Sequence, residues 1–142
     1  MERRVIAVLF CGAILGLGLS VSAQSSTYKA RLSLVPVESY KVDTIAGSGS
    51  VIAVLTGVSL AINGTFEGLK SPATLAQIHL GPRGVRGPVM FDLTITKAVS
   101  GTITGTIALT PVQVEALKQS RFYVQIHSEK APDGNLWGWI LP

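Results

Sequence analysis

Cysteine is almost missing from this sequence: Cys11 is the only one in 142 residues. That excludes a disulfide scaffold and any cysteine-built zinc module. Charge is scarce, at 14% of residues, which excludes a coiled coil. The 47% hydrophobic content excludes a disordered chain. A formal net charge of +4, spread thinly, makes no basic patch for nucleic acid, and no nucleic-acid partner is expected. Aromatics are few, at 6%, yet two of them, Trp137 and Trp139, fall almost side by side.

The one long hydrophobic run is at the start. Met1-Glu2-Arg3-Arg4 carries two cations, Val5 to Leu19 is uncharged and apolar, and Val21-Ser22-Ala23 supplies small residues. This is the layout of a secretory signal, and cleavage is expected between Ala23 and Gln24. At about 15 residues the run is short of the roughly 20 needed for a membrane span. The expected organisation is a signal peptide over 1–23 and one domain over 24–142, secreted or periplasmic, with no membrane span after removal of the signal. Cys11 leaves with the signal. Arg3, Arg4 and Glu2 go too, leaving ten cations and seven anions. The remaining chain is long enough for an ordinary hydrophobic core.

Its dominant pattern has a period of two. Ala30, Leu32 and Leu34 alternate with polar residues, as do Ala76, Ile78 and Leu80, and Phe122, Val124 and Ile126. Val58, Leu60, Ile62 and Phe66 share one parity, and threonines divide Ile103, Ile107 and Leu109. With 51–56, 88–94 and 135–141 this makes about eight short strands separated by Gly, Pro and Ser. Such spacing predicts an all-β antiparallel fold, a sandwich or barrel. Asn63-Gly64 has the composition of a hairpin turn, but the alternation runs through it in register. One long strand is therefore expected, with Gly64 at a bulge or a close backbone approach. The exception to strand patterning is Thr110–Gln119. There Thr110 can cap a short helix, Pro111 suits its first turn, and Val114 and Leu117 share a face.

Candidate chemistry is sparse. His79 and His127 each stand on the polar parity of a strand, and paired strands could bring both imidazoles to one metal. Zinc or copper normally needs a third strong donor, and no cysteine supplies it. No Gly-x-Ser-x-Gly elbow or paired-carboxylate pattern appears, so no catalytic residue is assigned. Arg83 and Arg86 lie in the loop Gly81–Pro88, which lacks the Lys-Ser/Thr ending of a phosphate loop. Trp137 and Trp139 share a strand face. Exposed, they would stack on a sugar or anchor a protein; buried, they would fill core.

Several of these residues also form an ordered set. Ile78-His79-Leu80-Gly81, Gly84, Gly87-Pro88-Val89 and Asp92-Leu93 are followed by Leu109-Thr110, Gln113-Val114 and Leu117. Next come Tyr123-Val124-Gln125-Ile126-His127-Ser128 and Pro132-Asp133-Gly134-Asn135-Leu136-Trp137-Gly138, with Gly68-Leu69 upstream. In this the chain resembles the chordin-domain (CHRD) family over roughly residues 28–142. The resemblance implies an immunoglobulin-like, Greek-key β-sandwich of about eight strands with one short helix. It also implies an extracellular setting, since chordin binds growth factors outside the cell and many microbial members are lone secreted domains. Many members carry His-x-His where this chain has Gln77-Ile78-His79, and an arginine where it has Trp137. The His-x-His pattern is similar to the copper ligands of copper/zinc superoxide dismutases.

Two expectations follow. The first is a non-catalytic, exported binding module without cofactor, meeting an extracellular protein or glycan through His79, His127, Trp137, Trp139, Arg83 and Arg86. The alternative is a copper- or zinc-binding protein with His79 and His127 as ligands.

Overall fold

The computed structural model describes residues 24–142, together with Gly18 and Ser20. The signal expected over residues 1–23 otherwise lies outside the described residues. Eight strands follow in order: β1 Ser25–Leu34, β2 Ser48–Thr56, β3 Ser59–Glu67, β4 Ala73–Leu80, β5 Val89–Ile95, β6 Gly101–Ala108, β7 Phe122–Ser128 and β8 Ala131–Trp139. One helix, α1 Pro111–Lys118, separates β6 from β7, and a 3-10 turn covers Ser39–Thr44. Every strand pair is antiparallel.

The expected all-β antiparallel fold with eight strands and a short helix is present, but its edges are not those of a sandwich. The strands close into a barrel in the order β1-β2-β3-β6-β5-β4-β7-β8. Greek-key connectivity survives within it, because β3 lies beside β6 and β7 beside β4. Closure depends on two strands that change partner. β1 pairs with β2 through Leu32, then with β8 at Ser33 and Leu34. β5 pairs with β4 through Leu93, then with β6 at Thr94 and Ile95. Each seam has a ladder of two residue pairs, extended by the Lys29–Leu141 bridge and a Val35–Asn135 bond on the first side and a Thr96–Thr102 bond on the second, and closure leaves no free edge for another chain to extend.

The predicted parity fills the barrel. Leu32, Leu60, Ile62, Ile78, Phe122, Val124, Ile126 and Leu136 are fully buried inside. An eight-stranded barrel is just wide enough for its side chains to occupy the interior, so this is a core and not a channel. Two positions depart from the pattern. Leu34 is exposed, because the partner change after Leu32 hands the next buried position to Val35. Val58 is exposed in the turn between β2 and β3.

β3 runs unbroken through Asn63 and Gly64, without a bulge against β2. A Cβ on Gly64 would lie 2.6 Å from the Ser50 carbonyl oxygen, so the glycine marks a close backbone approach. α1 sends Leu117 into the core and is closed at its start by a reciprocal cap. The Gln113 N–H donates to the Thr110 hydroxyl, and the Thr110 N–H donates to the Gln113 side-chain oxygen.

Candidate functional site

β7 is buried on both faces, and that feature positions the site. Its inner residues Phe122, Val124 and Ile126 belong to the barrel core. On its outer face Tyr123 is 1% exposed, Gln125 is 3% exposed and His127 is half-buried. The strand register brings neighbours alongside: His79 opposite Tyr123 and Gln77 opposite Gln125 on β4, Trp139 opposite Tyr123 and Trp137 opposite Gln125 on β8. Val35, Tyr123 and Trp137 form a second buried cluster outside the barrel wall, with Val37 and Trp139 packed against it.

The loop after β4 covers this face. The Trp139 indole N–H donates to the Gly81 carbonyl at 3.0 Å. The Gly87 N–H donates to the Tyr123 hydroxyl at 2.9 Å. Gly87 is required here, because a Cβ would collide with the Leu80 carbonyl oxygen. Arg86 reaches across to donate to the carbonyls of Asp133 and Pro36, with its guanidinium carbon 5.6 Å from the Trp137 ring centre. That distance is within cation–π range, so Arg86 fastens the loop over the aromatic cluster.

Beneath this cover the two imidazoles approach each other. Their ring centres are 6.4 Å apart, and His79 also stacks on Tyr123 at 4.9 Å. The His79 Nδ1 lies 2.9 Å from the Gly87 carbonyl oxygen, and the His127 Nδ1 lies 2.7 Å from that of Pro132. A carbonyl only accepts, so each Nδ1 carries a proton, and in the neutral form of each ring Nε2 keeps its lone pair. The Gln125 amide donates from Nε2 to the Asp133 carbonyl at 3.1 Å and to His127 Nε2 at 3.3 Å. These two acceptors fix which way the amide faces. Two buried atoms then have no protein partner, His79 Nε2 and Gln125 Oε1, and both are acceptors. Burial holds the His127 imidazole below the ordinary histidine value; His79 and Arg86 push the same way, while the bond to Pro132 and the Asp133 charge oppose.

Nearby carboxylates are engaged elsewhere. Asp92 accepts from Gln77 at 2.9 Å, and Asp133 pairs with Lys41 at 3.2 Å, which raises the Lys41 pKa. Among the described residues no group of three or more His, Cys, Asp or Glu is placed to hold a metal ion.

Two cavities border the cluster. A groove of about 540 Å³ runs between Val37, Ile45, Arg86, Lys130 and Pro132. Its Lys41 and Asp133 are paired to each other. A smaller pocket of about 210 Å³ is lined by Arg31, Arg83, Trp137 and Trp139, among others. The ion pairs among the described residues, Lys41–Asp133 and Lys118–Glu115, leave both of these arginines free.

The structure thus gathers all six residues singled out in the sequence onto one side of the barrel, in separate roles. His79, buried, and His127, half-buried, stand near each other on the outer face of β4 and β7, Arg83 and Trp139 border the small pocket, and Arg86 is a fastener. Trp137 is 8% exposed, so most of its ring fills the second cluster. Sequence reasoning missed Gln125, Tyr123 and Arg31. The Gln and Tyr share strand parity with His127, and that parity was the available signal. Arg31 comes from a distant strand and gave none.

The family model described as the CHRD domain matches residues 28–140, nearly all of the described chain. No curated protein and no solved structure matches the chain. Among the described residues no helix is long and apolar enough to cross a membrane.

Proposed function

The chain belongs to the CHRD-domain family, an extracellular-type domain, and on that footing we propose that it is an exported, non-catalytic binding module for an acidic glycan. The observation that carries this reading is the small pocket, where two indoles and two unpaired guanidinium groups meet. Indole rings stack on the apolar face of a sugar, and Trp139 is the more exposed of the pair. Guanidinium forks bind carboxylates through paired, charge-assisted hydrogen bonds, which selects a uronic acid over a neutral hexose. Loop anchoring by Arg86 and by the Trp139 indole N–H supports a preformed pocket.

Calorimetric titration of the protein without residues 1–23 with a uronic-acid oligosaccharide, and with a neutral one of equal length, tests the reading. The acidic chain should bind, added salt should weaken it, and Arg31→Gln with Arg83→Gln should abolish it. Equal binding of both sugars, or binding indifferent to the double substitution, would contradict it. Export is tested by N-terminal sequencing of protein recovered outside the cytoplasm, which should begin at Gln24. A chain still beginning at Met1 would oppose that part.

A further inference from the structure

A second site lies beneath the covering loop, independent of the glycan pocket. His127 stands four residues along β7 from Tyr123, the cross-strand partner of His79. At a strand rise of about 3.3 Å per residue, their backbones are on the order of 13 Å apart. Ring centres only 6.4 Å apart therefore require both side chains to lean toward each other over the Gln77–Gln125 pair. At that separation the two ring planes are close to parallel, inclined by 27°. A ring-centre separation of 6.4 Å is of the size that two metal–imidazole bonds of about 2 Å each would span.

Three acceptors belong to this cluster: the His79 Nε2 lone pair, which is buried and unpartnered; the His127 Nε2 lone pair, whose 3.3 Å bond from the Gln125 amide a metal would replace; and the unpartnered Gln125 Oε1. Burying acceptors without a partner is costly, so the arrangement calls for a hydrogen-bond donor or a cation. The backbone bonds at both Nδ1 atoms fix the tautomer and ring direction, as the outer shell of a metal site does. Gln77 is turned aside onto Asp92 and adds no charge.

We propose that His79 and His127 bind one Cu(I) ion between their Nε2 atoms, with Gln125 Oε1 as a weak third contact. The ligand set selects the metal. Zinc prefers four ligands, at least three of them from protein, and the nearby carboxylates are committed to Gln77 and Lys41. Cu(I) is a d10 ion that accepts two imidazoles in a linear arrangement, and imidazole suits copper. Coordination at His127 Nε2 replaces the bond from the Gln125 amide, and an Nε2 lone pair releases no proton on binding.

The test is anaerobic titration of the mature protein with Cu(I) alone, against a chromogenic Cu(I) chelator, with X-ray absorption on the loaded sample. One Cu(I) per chain is expected, with an edge typical of two-coordinate nitrogen ligation. His79→Gln and His127→Gln should each lose that equivalent while circular dichroism stays that of the parent. Retention of copper by both substituted proteins would overturn the proposal, as would a four-coordinate spectrum. Failure of the parent to compete with the chelator would overturn it as well, leaving a buried water as the occupant of the gap. The spectrum of the parent decides the matter even if a substitution disturbs folding.

Discussion

Buried polar residues set the character of this molecule. His127 is held neutral by burial, so its folded pKa lies below the 6.5 of a free imidazole. On acidification the unfolded chain therefore takes up the proton first. Stability contributed by the neutral ring is complete above about pH 6.5 and is lost as the pH falls through the folded value. Denaturation midpoints measured at about pH 8 and about pH 5 should differ, and His127→Gln should shrink that difference. An unchanged pH dependence in the variant would place the titrating group elsewhere. Gly87 makes a second prediction at this scale. Its carbonyl accepts from His79, and its Cα leaves no space for a methyl group. Gly87→Ala should destabilise the fold by about 1–3 kcal/mol, the usual range for overpacking, read from chemical denaturation.

Among the elements, α1 is the one most completely written in local sequence. Thr110, Pro111 and Gln113 define its start, and Leu117 its buried side. Its end is less ideal. Ser120 adopts φ 58, the left-handed position that glycine favours. The Ser120 N–H donates to Leu117 and the Arg121 N–H to Ala116, the paired bonds of a Schellman ending. Ser120→Gly should therefore raise stability by about 1 kcal/mol, since it relieves a left-handed non-glycine residue. A lower melting temperature in that variant would contradict the assignment. The strands were legible for a similar reason: Phe122, Val124 and Ile126 announce an inner face by alternation alone. Their outer neighbours were not. Tyr, Gln, His and Trp suit a solvated face and a covered one equally, and only the Gly87 and Arg86 contacts decide between them.

At the level of the whole molecule, barrel closure was invisible in the sequence because it rests on so few residues. The ladders of β1 with β8 and of β5 with β6 hold two pairs each, with isolated bonds at Val35–Asn135, Lys29–Leu141 and Thr96–Thr102, while β2 and β3 share nine. Nothing in the composition of Ser33-Leu34 or Thr94-Ile95 distinguishes a strand that changes partner from one that ends. Short seams open locally before the molecule unfolds. Amide hydrogen exchange should therefore be faster at the two seams than between β2 and β3, and uniform protection would speak against this. The histidine site depends on a covered outer face in which both imidazoles carry their proton on Nδ1 and leave Nε2 an acceptor. Nitrogen-15 NMR of the histidine rings in the metal-free protein at neutral pH reports this directly. Both rings should be the Nδ1–H tautomer, and a proton on Nε2 of either His79 or His127 would contradict the account.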